Sequence, residues 1–131
     1  MKPLYLLFVT TFLFFSLSDC NKTTKQSETY SCSCGAKDPL NDLTWIKKVL
    51  SGSYYFSNGS QLIVYSGAKF YCCTYNNENV FYLDNPASNL GVSNQVVFDC
   101  QGNVILAGIG SASSLQDFLK NKTNEQLLWS K

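Results

Sequence analysis

The stretch "KFYCCTYNNENVFYL", residues 69–83, decides the architecture. Its two arms, "KFYCCTY" and "NVFYL", are short and rich in β-branched and aromatic residues, a composition that suits a pleated, half-buried strand. Between them stands "NNE" at residues 76–78, brief enough for a hairpin. Such a connection imposes antiparallel pairing, because parallel neighbours need a crossover of about a dozen residues or more.

Outward from this hairpin the same character recurs. "QLIVY" (61–65), "QVVFDC" (95–100) and "NVILA" (103–107) read as further strands, separated by Asn, Gly, Ser or Pro. "QG" at 101–102 joins the last two through a glycine that tolerates positive φ. Alternation puts Lys69, Tyr71, Cys73 and Tyr75 on one face and Phe70, Cys72 and Thr74 on the other, so one sheet face is tyrosine-rich.

Two helical patterns flank the strands. In "DPLNDLTWIKKVLSG" (38–52), Asp38 suits an N-cap and Pro39 the first turn, where its missing N–H has no partner to lose. Asp42 lies near the positive end of the helix dipole, Lys47 and Lys48 near the negative end, and Gly52 can close the helix in the left-handed conformation. Leu43, Ile46, Val49 and Leu50 share one face, with Leu40 and Trp45 at its edges. Later, "SSLQDFLKN" (113–121) offers Ser114 as cap, Asp117 three residues on, and a stripe of Leu115, Phe118 and Leu119. "QLLWS" closes the chain as a last strand or an extended tail. The expected fold is α+β in two layers: an antiparallel β-meander of about five strands packed against an N-terminal helix, with a short C-terminal helix.

Composition narrows the chemistry. With 131 residues there is room for one domain and a targeting segment. The net charge is +1, the 10 basic residues are all lysine, and there is no histidine. Without guanidinium forks, nucleic acid is a poor partner. Without imidazole, Ser-His-Asp, Cys-His and His-rich zinc chemistry are excluded. Met1 is the single methionine, so no soft cluster supports copper. "LAGIGSASS" (106–114) has two glycines before a helix but neither the third glycine nor the βαβ setting of a phosphate loop, and reads as a connection. Asp84 in "LDNPAS" and Asp99 before the "QG" turn lie near strand ends, the placement an acid pair needs, but both read as turn residues. No catalytic residue, cofactor or metal is expected.

The N-terminus carries an address. Lys2 precedes "LYLLFVTTFLFFSL" (4–17), an uncharged apolar run shorter than the roughly 20 residues of a spanning helix, as in a cleaved secretory signal. Two cleavage sites compete. "LSDC" (17–20) resembles the lipobox of bacterial lipoproteins, with Asp19 departing from its usual small residue, and makes Cys20 the acylated mature terminus. Alternatively, Ser16 and Ser18 serve as the small residues of a cleavage before Asp19. The lipobox reading is preferred, because Cys20 closely follows the apolar run and "NKTTKQSETYS" behind it has the composition of a flexible tether. The expected layout is a signal at 1–19, a lipidated cysteine and tether at 20–35, and one domain at 36–131, held by its lipid in the periplasm or outer membrane as a monomer. The second site instead implies a secreted protein. The N-x-S/T triplets at Asn21, Asn58 and Asn121 would matter only in a eukaryotic secreted protein.

Export places Cys32, Cys34, Cys72, Cys73 and Cys100 where thiols pair. Five is odd if Cys20 is acylated; with Cys20 there are six, enough for three bridges. Cys72 and Cys73 point to opposite faces. The expected pattern joins Cys100 to one of them, with Cys32 or Cys34 bound to the other. Cys32-Ser33-Cys34 fits neither the C-x-x-C of redox pairs nor the two C-x-x-C pairs of structural zinc sites.

Taken together, "DPLNDLTWIKK", "KFYCCTYNNENVFYL" and "FDCQGNVILAG" resemble an uncharacterised family of small exported Bacteroidota-type domains, often lipoproteins, with a helix-opening NPLEDLPWLK-like motif. Here Asp38, Asn41 and Thr44 stand where that motif has Asn, Glu and Pro. The resemblance runs over residues 38–129, implies the lipoprotein reading of Cys20, and brings no catalytic residue. The preferred function is a non-catalytic binding module that touches a protein or glycan through its sheet; Tyr71, Tyr75 and Tyr82 are the candidate surface, although core filling is the favoured reading of these aromatics. A secreted hydrolase inhibitor and a small envelope enzyme using carboxylates or a free thiol are the alternatives.

Overall fold

The computed structural model describes residues 31–86, 93–109 and 112–131. In chain order the elements are α1 (Pro39–Asp42), α2 (Thr44–Leu50), β1 (Lys69–Tyr75), β2 (Glu78–Pro86), β3 (Ser93–Phe98), β4 (Val104–Ile109), α3 (Ser113–Asn121) and β5 (Thr123–Ser130). The strands form one five-stranded antiparallel sheet in the order β4-β3-β2-β1-β5, so the fold is α+β. Residues 1–30 lie outside the described part, and with them the signal, Cys20 and Asn21.

The founding hairpin is tighter than "NNE". Tyr75 pairs with Glu78, and the two-residue turn between them holds Asn76 and Asn77 at φ of 50° and 63°. Two successive left-handed residues match the right-handed strand twist, and asparagine is among the few side chains that tolerate them. In the β3–β4 turn, Gly102 has φ of 86°, and Asp99 accepts from the backbone N–H groups of Gln101 and Asn103 at 2.9 and 2.8 Å.

Three expectations are corrected. Residues 61–65 are not a strand of the sheet. They are extended, with Leu62 and Val64 buried and Ile63 58% exposed, but their ladder is replaced by the amide of buried Asn85. Its Oδ1 accepts from Tyr65 N–H at 2.9 Å and its Nδ2 donates to Ile63 C=O at 2.6 Å. The fifth strand is β5, which returns to pair with β1 and takes the edge that 61–65 would need.

The helix expected over 38–52 is two helices. Asp38 caps α1 as read, accepting from Asn41 N–H, but Leu43 is extended at φ −94°, ψ 101° and ends it. The break turns buried Pro39 and half-buried Leu40 onto the core that Ile46 and Val49 also fill. Gly52 closes α2 at φ 72°, and the Ser53 N–H reaches back to Lys48 C=O at 2.8 Å, so the glycine reading holds.

Finally, the sheet has a helix on each face. In β2, Val80, Phe81, Tyr82 and Leu83 are all buried, so both faces need cover. On face one, Ile46 and Val49 of α2 pack with Phe70, Phe81, Leu83 and Phe98. On face two, Leu115 and Phe118 of α3 pack with Cys73, Val80, Tyr82 and Val97. The crossing from edge strand β4 to edge strand β5 carries α3 over this second face.

Candidate functional sites on the two sheet faces

The cysteines form a strap across face one. Cys32 is bonded to Cys72 and Cys34 to Cys100, each with Cα atoms 5.6 Å apart. Cys72 lies on β1 and Cys100 just beyond β3, so the strap crosses β2, where the Cys100 and Cys34 sulfurs lie 3.2 and 3.8 Å from Asn79 C=O. Residues 32–34 therefore belong to the folded body and not to a tether. The expected link from Cys100 to Cys72 or Cys73 is corrected. Cys72 is opposite Phe81 and Phe81 opposite Phe98, so Cys72 and the end of β3 are two strand spacings apart, about 9–10 Å. That exceeds the roughly 7 Å a disulfide can bridge. Cys73 points to the other face and is the free thiol among the described residues. The C-x-C spacing that suits no redox motif is the spacing that reaches two strands at once. Two such bridges mark an oxidising, non-cytoplasmic setting.

Face two carries the tyrosines, as alternation requires, but α3 covers its centre. Tyr82 is buried, and Tyr71 and Tyr75 are half-buried, so the three do not form an exposed aromatic platform. Tyr71 stacks on Tyr82 with ring centroids 4.8 Å apart and planes 11° apart. Phe118 meets Tyr82 and Tyr75 edge-on at 5.3 and 5.2 Å. The Tyr82 hydroxyl donates to the Glu125 carboxylate, which also pairs with Lys122, and the Lys122 ammonium lies 5.2 Å from the Tyr82 ring centre. The Tyr75 hydroxyl donates to Asp117 Oδ2 at 2.8 Å. Beneath them burial pushes the Cys73 thiol up to about 11, against a smaller opposing pull from Lys122. Burial, with Tyr71, Cys73 and Asp84 nearby, likewise raises Tyr82. At neutral pH these groups stay protonated, and the thiol is not a nucleophile.

Further along face two, Asp84 stands opposite Gln95 on one side and Lys69 on the other. Gln95 is 8% exposed, and neither its Oε1 nor the buried Asp84 Oδ1 has a hydrogen-bond partner. Burial first, and then the Asp84 charge, raise the Tyr71 hydroxyl, which puts Tyr71 in the same neighbourhood. Asp99 is elsewhere: it lies four residues beyond Gln95 along the chain, about 13 Å of extended strand. The two acids are not brought together. Burial would raise the Asp99 carboxyl, but hydrogen bonds from Asn103, Gln101 and Gly102 outweigh it and hold the group below its usual range, as a turn residue requires.

Face one has a cleft of about 280 Å³ where residues 56–65 lean over the ends of β2, β3 and β4. Phe56, Leu62, Ile63, Val96 and Ala107 wall it, and Asn85 and Asn94, cross-strand partners, supply polar groups. It runs beside the outer edge of β4, which no described strand covers and whose residues "VILAGI" include no charge. Ile105 on this edge is 44% exposed. Sequence reading missed Gln95, Glu125 and Lys122 on face two and the cleft on face one. Alternation from Tyr82 leads only as far as Asp84, and Gln95 joins it through the β2–β3 register; the cleft depends on residues 61–65 leaving the sheet.

Among the described residues no three acids or cysteines are grouped to hold a metal ion, and no helix is long and apolar enough to cross a membrane. Comparison with protein-family models, curated proteins and solved structures finds no match.

Proposed function

We propose that this chain is an exported binding domain without catalytic activity, lipid-anchored through Cys20 at the bacterial cell envelope, that takes a protein partner at the face-one cleft. The observation that carries the binding role is the cleft itself: an apolar-walled recess with a few convergent amides, continuous with an uncharged strand edge and the exposed Ile63 and Ile105. An edge without lysine, proline or other protection offers free N–H and C=O groups to an extended segment.

The cysteine arrangement supports the anchor. Four of the six cysteines pair with one another, and Cys73 is buried beneath α3. Cys20 therefore has no accessible thiol of the described fold to pair with, which suits acylation. The lipobox-like "LSDC" and the family resemblance point the same way.

Intact mass of the protein from its native membrane fraction tests the anchor. The expected species begins at Cys20, carries acyl chains and holds two disulfides; a lipid-free chain beginning at Asp19 overturns it. A photo-crosslinking residue at Ile63 or Ala107, with one at Lys48 as control, tests the binding role in intact cells. Discrete adducts from the cleft positions alone are expected. Their absence at both, in cells that display the protein, overturns it.

A further inference from the structure

Face two already holds one cation on an aromatic ring. The Lys122 ammonium sits over Tyr82 and pairs with the Glu125 carboxylate, which in turn accepts from the Tyr82 hydroxyl. The other ring of the stacked pair, Tyr71, has a matching set of neighbours. Asp84 supplies a carboxylate that perturbs the Tyr71 hydroxyl, and Gln95, directly across the ladder from Asp84, supplies an amide oxygen. This second set has no cation among the described residues.

The imbalance is energetic as well as geometric. Asp84 Oδ1 and Gln95 Oε1 are both acceptors, both buried and both without a donor. A buried acceptor left unpaired loses its hydration without recompense, and more so when charged, so two on adjacent cross-strand positions are not tolerated without cause. Cross-strand neighbours have Cβ atoms about 4.5–5.5 Å apart, close enough for one donor group to serve both oxygens. At the third strand Gly108 stands opposite Gln95 and brings no side chain of its own, although a Cβ built there would meet Leu115 Cδ1 at 3.4 Å, so the acceptors are approached from the Asp84 and Tyr71 side. The internal candidate is Lys69, opposite Asp84 on β1, but its ammonium makes no ion pair with it.

We propose that Asp84, Gln95 and Tyr71 form a binding site for an organic cation, an ammonium or guanidinium group supplied from outside the fold. The carboxylate provides charge, the two oxygens accept N–H bonds, and the phenol ring flanks the cation as Tyr82 flanks Lys122. Tyr71 and Asp84 do not line the cleft, whereas Gln95 borders it as well, and the site does not depend on the lipid anchor. It gives the domain a second point of attachment, specific for charge where the cleft is specific for apolar surface.

Backbone amide NMR of the purified chain tests this, titrated with n-butylammonium, methylguanidinium, and the capped tripeptides acetyl-Gly-Lys-Gly-amide and acetyl-Gly-Arg-Gly-amide. Saturable shifts are expected at Tyr71, Asp84, Gln95 and Gly108, weakening with added salt and at least about tenfold with Asp84→Asn. Gln95→Glu, which keeps the shape and adds charge, is expected to tighten binding several-fold, so the test does not rest on Asp84→Asn remaining folded. Tripeptides binding about tenfold more tightly than the free cations assign the site to a partner's basic side chain; equal affinities assign it to a small amine. Shifts that appear only after Lys69→Gln overturn the proposal, since Lys69 then fills the site itself. No saturable shift in either protein also overturns it. Gln95 and Gly108 also border the cleft, so the shifts at Tyr71 and Asp84, with Leu62 and Ile63 unmoved, are the ones that keep either result separate from events in the cleft.

Discussion

Gly102 lies directly under the ring of Trp45. A Cβ built on it would come within 2.5 Å of that ring, and its φ of 86° is one that side chains seldom adopt. The contact is held from several sides: Trp45 Nε1 donates to Cys100 C=O at 3.3 Å, and the Tyr54 hydroxyl donates to Gly102 C=O at 2.9 Å. The same indole packs against Phe81 and Phe98, each at 5.3 Å between ring centres. This one glycine thus lets the helix layer seat on the β3–β4 turn.

Gly102→Ala is accordingly expected to destabilise the domain by about 2–4 kcal/mol, combining left-handed strain with overpacking against a rigid ring. Urea unfolding measures it. A loss below about 0.5 kcal/mol would mean that Trp45 moves aside freely.

Removing the outer bridge, by Cys34→Ser with Cys100→Ser, is expected to cost about 4 kcal/mol in the chain-entropy account, given the 66-residue separation it closes. The inner bridge, over 40 residues, is expected to cost nearly as much. Denaturant midpoints of the two double variants, compared with the reduced protein, check both.

Stability should fall at high pH. The Cys73 thiol rises from an ordinary value of 9.0 to about 11 in the fold, so the folded state keeps its proton where the unfolded chain has lost it. The contribution is intact below pH 9, declines as pH rises from about 9 to 11, and is bounded at about 2–3 kcal/mol. Cys73→Ala is expected to flatten that part of the profile, and Tyr82→Phe part of what remains. A decline of unchanged depth in both variants would assign it to other groups.

Asn85→Ala removes both hydrogen bonds that replace a ladder for residues 61–65, and leaves Tyr65 N–H and Ile63 C=O to find water. A loss of about 2–3 kcal/mol is expected, with faster proteolysis in residues 57–60. Equal proteolysis rates in variant and parent would show that the segment is held by Leu62 and Val64 alone.

Ile105→Lys places a charge on the β4 edge. It is expected to change stability by no more than about 0.5 kcal/mol, since the side chain is 44% exposed, while abolishing the crosslinks made from the cleft. Crosslinks that persist undiminished would place the partner away from that edge.

How much was legible follows the range of the interactions. The Asp38 cap, the Gly52 close and the Leu115–Phe118 stripe all act within a few residues and are present as read, and the hairpin expected at 76–78 is present with its turn narrowed to Asn76 and Asn77. The break at Leu43 was not legible, because it satisfies packing of Pro39 and Leu40 against a sheet whose strands begin at Lys69. The candidate cation site was half legible: alternation from Tyr71 and Tyr82 leads to Asp84, but Gln95 joins them only through the β2–β3 register.

The sequence by itself determined an antiparallel α+β domain with one tyrosine-rich face and a strand-forming centre, because alternation and turn chemistry are local and each position states its own preference. The tertiary structure alone decided which strand filled the last edge, that both faces bear helices, which cysteines met, and where the cleft and the orphaned oxygens lie. Those depend on strand order. Residues 61–65 and 123–130 both have extended character, and β5 holds the place beside β1 since the chain, carried across face two by α3, arrives at that edge. The β1-β2-β3 meander separates Cys72 from Cys100 by β2, so the strap from Cys32 to Cys34 is what spans the gap, and with β5 beside β1 residues 61–65 are left to form the wall of the cleft.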